Sequence, residues 1–246
     1  YEVGALRALD EALEGIDFND LDVYVGVSAG AVVAALLANQ MKTGQICHTF
    51  ISNESEEHPL DPQIFLTPAF GEYWRRLLSV PKLLWESCSR YLKNPLDSSF
   101  LQSLTRLGQA LPSGVFDNEP IYEYLSRMWS APGRTDDFRQ LPNKLYVVAV
   151  DLDTGESVKF GAPGYDRVRI SRAVQASTAL PGLYPPVKID GRYFVDGALR
   201  KTMHASVALQ EGLDLLFCLN PLVPFDARLA AAAGRPAQVG RLVEGG

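Results

Sequence analysis

Asp22-Val23-Tyr24-Val25-Gly26-Val27-Ser28-Ala29-Gly30-Ala31-Val32-Val33 decides how the chain is read. Its first half, residues 22–27, is short, apolar and β-branched, which predicts a buried strand. Its continuation, 29–41, is rich in alanine and leucine and predicts a helix. Between them Gly26-Val27-Ser28-Ala29-Gly30 fits G-x-S-x-G. That pentapeptide is loose by itself, but a strand before it and a helix after it are the setting of a nucleophile elbow. A serine there sits on a tight turn, and the flanking Gly26 and Gly30 let strand and helix approach without a Cβ. The helix N-terminus aims N–H groups at the point where negative charge develops, so the Ala29 N–H is the candidate oxyanion donor. A plainer reading has Ser28 as a helix N-cap on a Gly-rich turn. A phosphate-binding turn fits poorly, because neither G-x-G-x-x-G nor a Walker lysine is present.

Outward from the elbow, strands and helices alternate. Val3, Leu6, Leu9 and Leu13 recur at helical spacing over 1–14, and Gly15 is a suitable stop. Residues 117–129 predict a helix with Asp117 or Asn118 as its cap and Pro120 in its first turn. Residues 144–152 predict a strong strand, and 156–160 its hairpin return. A helix is expected over 170–179, ending before Pro181-Gly182. Asp190-Gly191 marks a hairpin across 187–195. A helix near 202–211 and a strand over 213–219 follow. The pattern predicts an α/β fold with a mostly parallel sheet covered on both faces. Prolines cut 59–115 into short aromatic and basic pieces, so that stretch is expected as an inserted helical cap. Residues 226–246 are expected as a tail or linker.

Composition narrows the function. The 246 residues are 47% hydrophobic and 21% charged, enough for one domain with a sizeable core. A formal net charge of −6 argues against nucleic acid as a partner, since phosphate binding needs a basic face. Cys47, Cys88 and Cys218 form no C-x-x-C pair, which disfavours zinc and disulfides and favours a reducing, cytoplasmic setting. There is no apolar run long enough to span a bilayer, and no signal peptide at Tyr1. Residues 65–93 mix Trp, Tyr, Arg and Lys, which suits either peripheral contact with a membrane or ordinary packing of cap helices. Asp151 and Asp153 precede Thr154-Gly155 and read as turn-capping carboxylates, so no metal and no cofactor is expected.

An activated serine needs a base. His48 and His58 lie in polar, proline-cut sequence beyond the elbow helix. His204 follows Asp196 at a helix start and leaves a Ser-His-Asp arrangement open. Asp196 ends the apolar run Arg192-Tyr193-Phe194-Val195 and precedes Gly197-Ala198, which makes either a simple turn or a base at a strand end. A carboxylate serves as base when burial raises its pKa.

Taken together, these residues resemble the patatin-like phospholipase family. The elbow around Ser28 is similar to the family's, as is Asp196-Gly197-Ala198 to its D-G-G or D-G-A motif. Ala176-Ser177-Thr178-Ala179-Leu180-Pro181-Gly182-Leu183-Tyr184-Pro185-Pro186 resembles its A-S-x-A-x-P-x-x-F-P-P block, and Tyr1–Leu9 resembles its opening helix. The resemblance runs in order from Tyr1 to about Asn220 and is poor over 50–140, which it implies is a variable cap insertion. It implies a three-layer α/β/α fold, a Ser28–Asp196 dyad without histidine, and hydrolysis of lipid acyl esters through an acyl-enzyme. It also implies a strand and a Gly-rich oxyanion loop ahead of the first helix. Neither is among these residues, and Gly4 and Arg7 do not replace them, so a preceding segment is expected. A lipid-binding scaffold that has lost the loop, without catalysis, is the contrasting expectation.

Overall fold

The computed structural model describes residues 1–52, 62–69 and 114–221. Among these, the helices are α1 (Glu2–Ala12), α2 (Ala29–Ala38), α3 (Thr43–Cys47), α4 (Glu119–Trp129), α5 (Ile170–Ser177) and α6 (Ala205–Leu209). The strands are β1 (Val23–Val27), β2 (Lys144–Asp151), β3 (Ser157–Phe160), β4 (Val187–Ile189) and β5 (Arg192–Asp196).

β2 is the spine of the sheet. β3 pairs with it antiparallel over Val147–Val150 and fills one of its edges. β1 runs parallel to β2 from Val23↔Lys144 to Val27↔Val148. β5 runs antiparallel to β2 from Asp151↔Phe194 to Ala149↔Asp196. A strand has two hydrogen-bonding edges, and β3 overlaps both β1 and β5 along β2. β1 and β5 therefore share the other edge in tandem. β1 ends opposite Val148 and β5 ends opposite Ala149, so the chain after Val27 and the chain after Asp196 leave the sheet side by side. β4 closes the sheet beyond β5 through a hairpin whose turn residues, Asp190 and Gly191, both have positive φ, at 48° and 84°. Those dihedrals are what Asp-Gly supplies in a tight hairpin turn.

The α/β architecture agrees with the sequence, but the described ladders are mixed. Only β1–β2 is parallel, and the other three are antiparallel. Connection length accounts for three of the four ladders: tight links at 152–156 and 190–191 can join only antiparallel neighbours, and β1 reaches β2 through a long crossover. β5 meets β2 antiparallel although no tight link joins those two strands. The expected strand over 213–219 is not formed. No described strand pairs with 213–219; Leu216–Asn220 instead line a cavity of about 320 Å³ together with Val23, Val25 and Val27 of β1.

Alternation in β1 separates two layers. Tyr24 and Gly26 are buried toward α2, while Val23, Val25 and Val27 face the cavity bordered by α6. On the α2 side, α5 packs on β2 and β5, and α4 packs on α5. Trp129, Met128, Ile170, Val174, Phe160 and Phe194 are buried there. Each such side chain contributes about 1.5–3 kcal/mol when removed from water. α4 thus belongs to the main core, although it lies within the 50–140 interval expected as a cap. The remainder of that interval, apart from residues 50–52, 62–69 and 114–140, and the expected tail at 226–246 lie outside the described residues. No described helix is long and apolar enough to cross a membrane.

Polar side chains fix the helix ends and turns. Asp136 accepts from the Ser171 N–H at 2.7 Å and from its hydroxyl at 2.6 Å, capping the first turn of α5. Asp151 Oδ1 accepts from the N–H groups of Asp153 and Thr154, as a turn-capping carboxylate does. Its other oxygen pairs with Arg192. Asp136→Ala is expected to lower unfolding free energy by about 1–2 kcal/mol, through two lost bonds at a helix start. Urea denaturation measures this, and an unchanged midpoint contradicts the capping role.

Candidate active site

Ser28 follows β1 directly and stands at the N-cap position of α2 with φ 53° and ψ −129°, but its side chain makes no capping bond. Only three non-glycine residues among those described have positive φ, and Ser28 is one of them. Such a conformation costs on the order of 1–3 kcal/mol and persists where neighbours enforce it. Here the enforcement is visible. A Cβ on Gly26 would lie within 3.0 Å of Ala31 Cα, Gly30 O and Ala31 N, so only glycine lets α2 turn back this closely over β1. Gly30 is roomier; a Cβ there would first meet Glu2 Oε1 at 3.3 Å. The Ser28 N–H donates to Ser177 Oγ at 2.9 Å. Among the described residues nothing accepts from the Ala29 N–H, which sits in the first turn of α2, where helical N–H groups lack intrahelical partners.

The Ser28 hydroxyl donates to Asp196 Oδ2 at 2.7 Å. Asp196 is only 2% exposed. Its Oδ1 accepts from the Ala198 N–H at 2.8 Å, and its own N–H donates to Ala179 O at 3.0 Å. Burial pushes the Asp196 pKa above the ordinary carboxyl range; the bonds from Ser28 and Ala198 oppose this without cancelling it. Gly197 serves the same close packing as Gly26, since a Cβ there would overlap Val148 O and press on Val27 Cγ1. The sequence candidates Gly26, Ser28, Ala29, Gly30, Asp196 and Gly197 thus converge at the tandem junction of β1 and β5.

A cavity of about 430 Å³ opens on Ser28 and Asp196. Its walls include Val32, Val33 and Leu36 from one face of α2, with Phe50, Ile121 and Leu183 from other elements. Pockets for small organic ligands are of this size, mostly apolar with a few convergent polar groups.

His204 starts α6, is buried, and lines the smaller cavity on the other side of Ser28. Burial lowers its pKa, and among the described residues its Nε2 has no hydrogen-bond partner. The Ser28 hydroxyl is directed to Asp196 instead. His48 begins a π-helical turn over His48–Ser52, and His58 lies outside the described residues. Among the described residues no cluster of three or more metal-ligating side chains forms.

A profile of the patatin-like phospholipase family matches residues 1–209. The chain belongs to that family. A crystal structure of VipD from Legionella pneumophila is similar to it at 17% identity and a TM-score of 0.41, over 94% of this chain and 49% of that one. The chain therefore spans about half the length of that protein.

Sequence reasoning about this patatin-like chain missed Ser177 as a partner of the elbow. Its only signal was membership in the 176–186 block, which says nothing of which atom it meets. The apolar face of α2 was also missed, because that helix is hydrophobic all round.

The raised Asp196 pKa has a consequence for stability. A carboxyl raised by the fold stabilises it fully below the unfolded-state pKa, and that contribution is lost as pH rises through the folded-state value. Asp196→Asn is therefore expected to melt above wild type at neutral pH, with the gap closing toward the ordinary carboxyl range. Thermal unfolding at several pH values checks this; a variant melting below wild type at neutral pH contradicts it.

Proposed function

We propose that this chain is a serine acyl-ester hydrolase acting on lipids, of phospholipase A or lysophospholipase type, through a Ser28–Asp196 dyad. The observation that carries the reading is the 2.7 Å bond from Ser28 Oγ, on a strained elbow, to a buried carboxylate with a raised pKa. A serine hydroxyl is a weak nucleophile until a base takes its proton. In this reading Asp196 takes it as Ser28 Oγ attacks the ester carbonyl carbon. The carbonyl electrons move onto oxygen, which the Ala29 N–H and the positive end of α2 stabilise. Collapse expels the alcohol with the proton, leaving an acyl-Ser28 ester. Water then attacks that ester with Asp196 again as base, releasing the fatty acid.

The apolar cavity supports an acyl chain as the group held during this cycle. Val32, Val33 and Leu36 run along one wall from the nucleophile inward. Leu180 and Leu183 line the cavity yet remain 38% and 44% exposed, which supports peripheral contact with a lipid surface at its mouth. Leu66, 61% exposed, belongs to the described part of the 65–93 stretch; residues 70–93 lie outside the described residues.

Turnover of a short-chain ester and of phospholipid vesicles tests the assignment. Ser28→Ala and Asp196→Asn are each expected to lower kcat by at least about 10³-fold, whereas His204→Ala leaves it within about tenfold. Loss of turnover in His204→Ala alone would transfer the base to His204. Vesicle binding by a wild-type protein with no serine-dependent turnover would instead favour a lipid-binding scaffold. Independently, Val33→Trp fills the cavity and is expected to shift kcat/KM toward shorter acyl chains by about tenfold. An unaltered chain-length profile removes this cavity from the acyl site.

A further inference from the structure

We propose that Ser177 is a positioning residue for the nucleophile, with its hydroxyl inserted as an extra rung between the elbow and the sheet. The inference rests on the hydrolase reading and adds to it a residue that touches no substrate.

The register of β1 and β2 carries the argument. The ladder begins with the Lys144 N–H donating to Asp22 O at 3.1 Å. Parallel ladders repeat every second residue, and the pairing continues in register to Val27↔Val148. The next rung in that series is the Ser28 N–H on Val148 O. It is not formed directly. Instead the Ser28 N–H donates to Ser177 Oγ at 2.9 Å, and the Ser177 hydroxyl donates onward to Val148 O at 2.7 Å. One hydroxyl accepts from one strand and donates to the other. The rung is lengthened by an oxygen atom at the residue where the backbone turns to φ 53°. Ser177 is fully buried, so water does not replace it there.

The same segment holds the base. Ser177 ends α5, and two residues later Ala179 O accepts the Asp196 N–H at 3.0 Å. The Thr178 hydroxyl, between them, donates back to Val174 O at 3.0 Å and ties the segment to its helix. Residues 177–179 therefore grip the backbone N–H of Ser28 with a side chain and that of Asp196 with a carbonyl. The nucleophile–base distance is set by three consecutive residues at the end of one rigid helix. A displacement of about 1 Å at such a pair costs on the order of 100-fold in rate.

Ser177→Ala removes the inserted rung and leaves both strands otherwise intact. On a soluble short-chain ester its kcat is expected to fall on the order of 10- to 100-fold with KM within about threefold, since the acyl cavity is untouched. Ile170→Val, which trims the buried start of the same helix, serves as a stability control and keeps kcat within about twofold. If Ser177→Ala melts no higher than Ile170→Val and yet keeps wild-type kcat, the hydroxyl is structural and the proposal fails. Should the alanine variant not fold, Ser177→Cys keeps a weaker donor and acceptor: reduced kcat at constant KM supports the proposal, and unchanged kcat overturns it. Amide hydrogen exchange reads the contact without turnover. Exchange at Ser28 is expected to accelerate at least about tenfold relative to Gly26 in the alanine or cysteine variant. If wild type shows no serine-dependent turnover, the hydrolase reading falls on its own, and unchanged Ser28 exchange separately overturns the inserted rung.

Discussion

Along one edge of β2, β1 ends at Val148 and β5 ends at Ala149, and everything at the site depends on the two chains leaving the sheet there together. The space is too small for ordinary residues. Gly26 and Gly197 each stand where a Cβ would overlap backbone. Removing two Cβ atoms lets α2 fold back over β1 and lets the turn after Asp196 rest on Val148. The short Ser28–Asp196 hydrogen bond follows from that convergence of backbones; neither side chain has far to reach. Because the positions are held by main chain and sheet, the geometry is fixed before any substrate arrives, which is how a site avoids reorganising during reaction.

That rigidity opposes two local costs. Ser28 adopts a left-handed φ that a non-glycine residue avoids, and Asp196 carries a carboxylate in a place nearly closed to water. Each destabilises the fold by itself. Each also suits the proposed chemistry, because the strained turn exposes Oγ beyond the helix start and desolvation strengthens the base. Offsetting contributions come from the apolar layer beside the sheet, where Trp129, Met128 and Val174 are buried. An interlocked polar set adds to it. Arg172 donates to Glu119 and Gln175, and its guanidinium lies 3.8 Å from the centroid of the Tyr122 ring. This set joins α4 to α5 and steadies the helix whose last residue is Ser177.

Local features of the chain were legible because they are written in φ/ψ preference and periodicity. The strand–Gly–x–Ser–x–Gly–helix order, the Asp190-Gly191 turn and the β-branched run of β2 each carry their structure within a few residues. The strand expected over 213–219 shows the limit of that reasoning. Leu215, Leu216 and Phe217 have strand-forming character, yet a strand exists only where a neighbour offers its backbone, and none of the described strands pairs with them. The Pro-cut stretch 59–115 lies mostly outside the described residues, whereas Ile121, Leu125 and Trp129, in the helix expected over 117–129, are core residues.

By itself, then, the sequence determined that a serine stands on a sharp strand-to-helix turn, that a glycine follows an aspartate at a strand end, and that both belong to an α/β chain. It put Asp196 ahead of His204 as the partner of the serine but gave neither a position in space. The tertiary structure brings Asp196, 168 residues away, into a hydrogen bond with Ser28, and sets a third residue, Ser177, 149 residues from Ser28, between two strands. No local preference encodes such pairings. They depend on which strand ends lie side by side along β2, and that is set only when the whole sheet and its helical layer have packed.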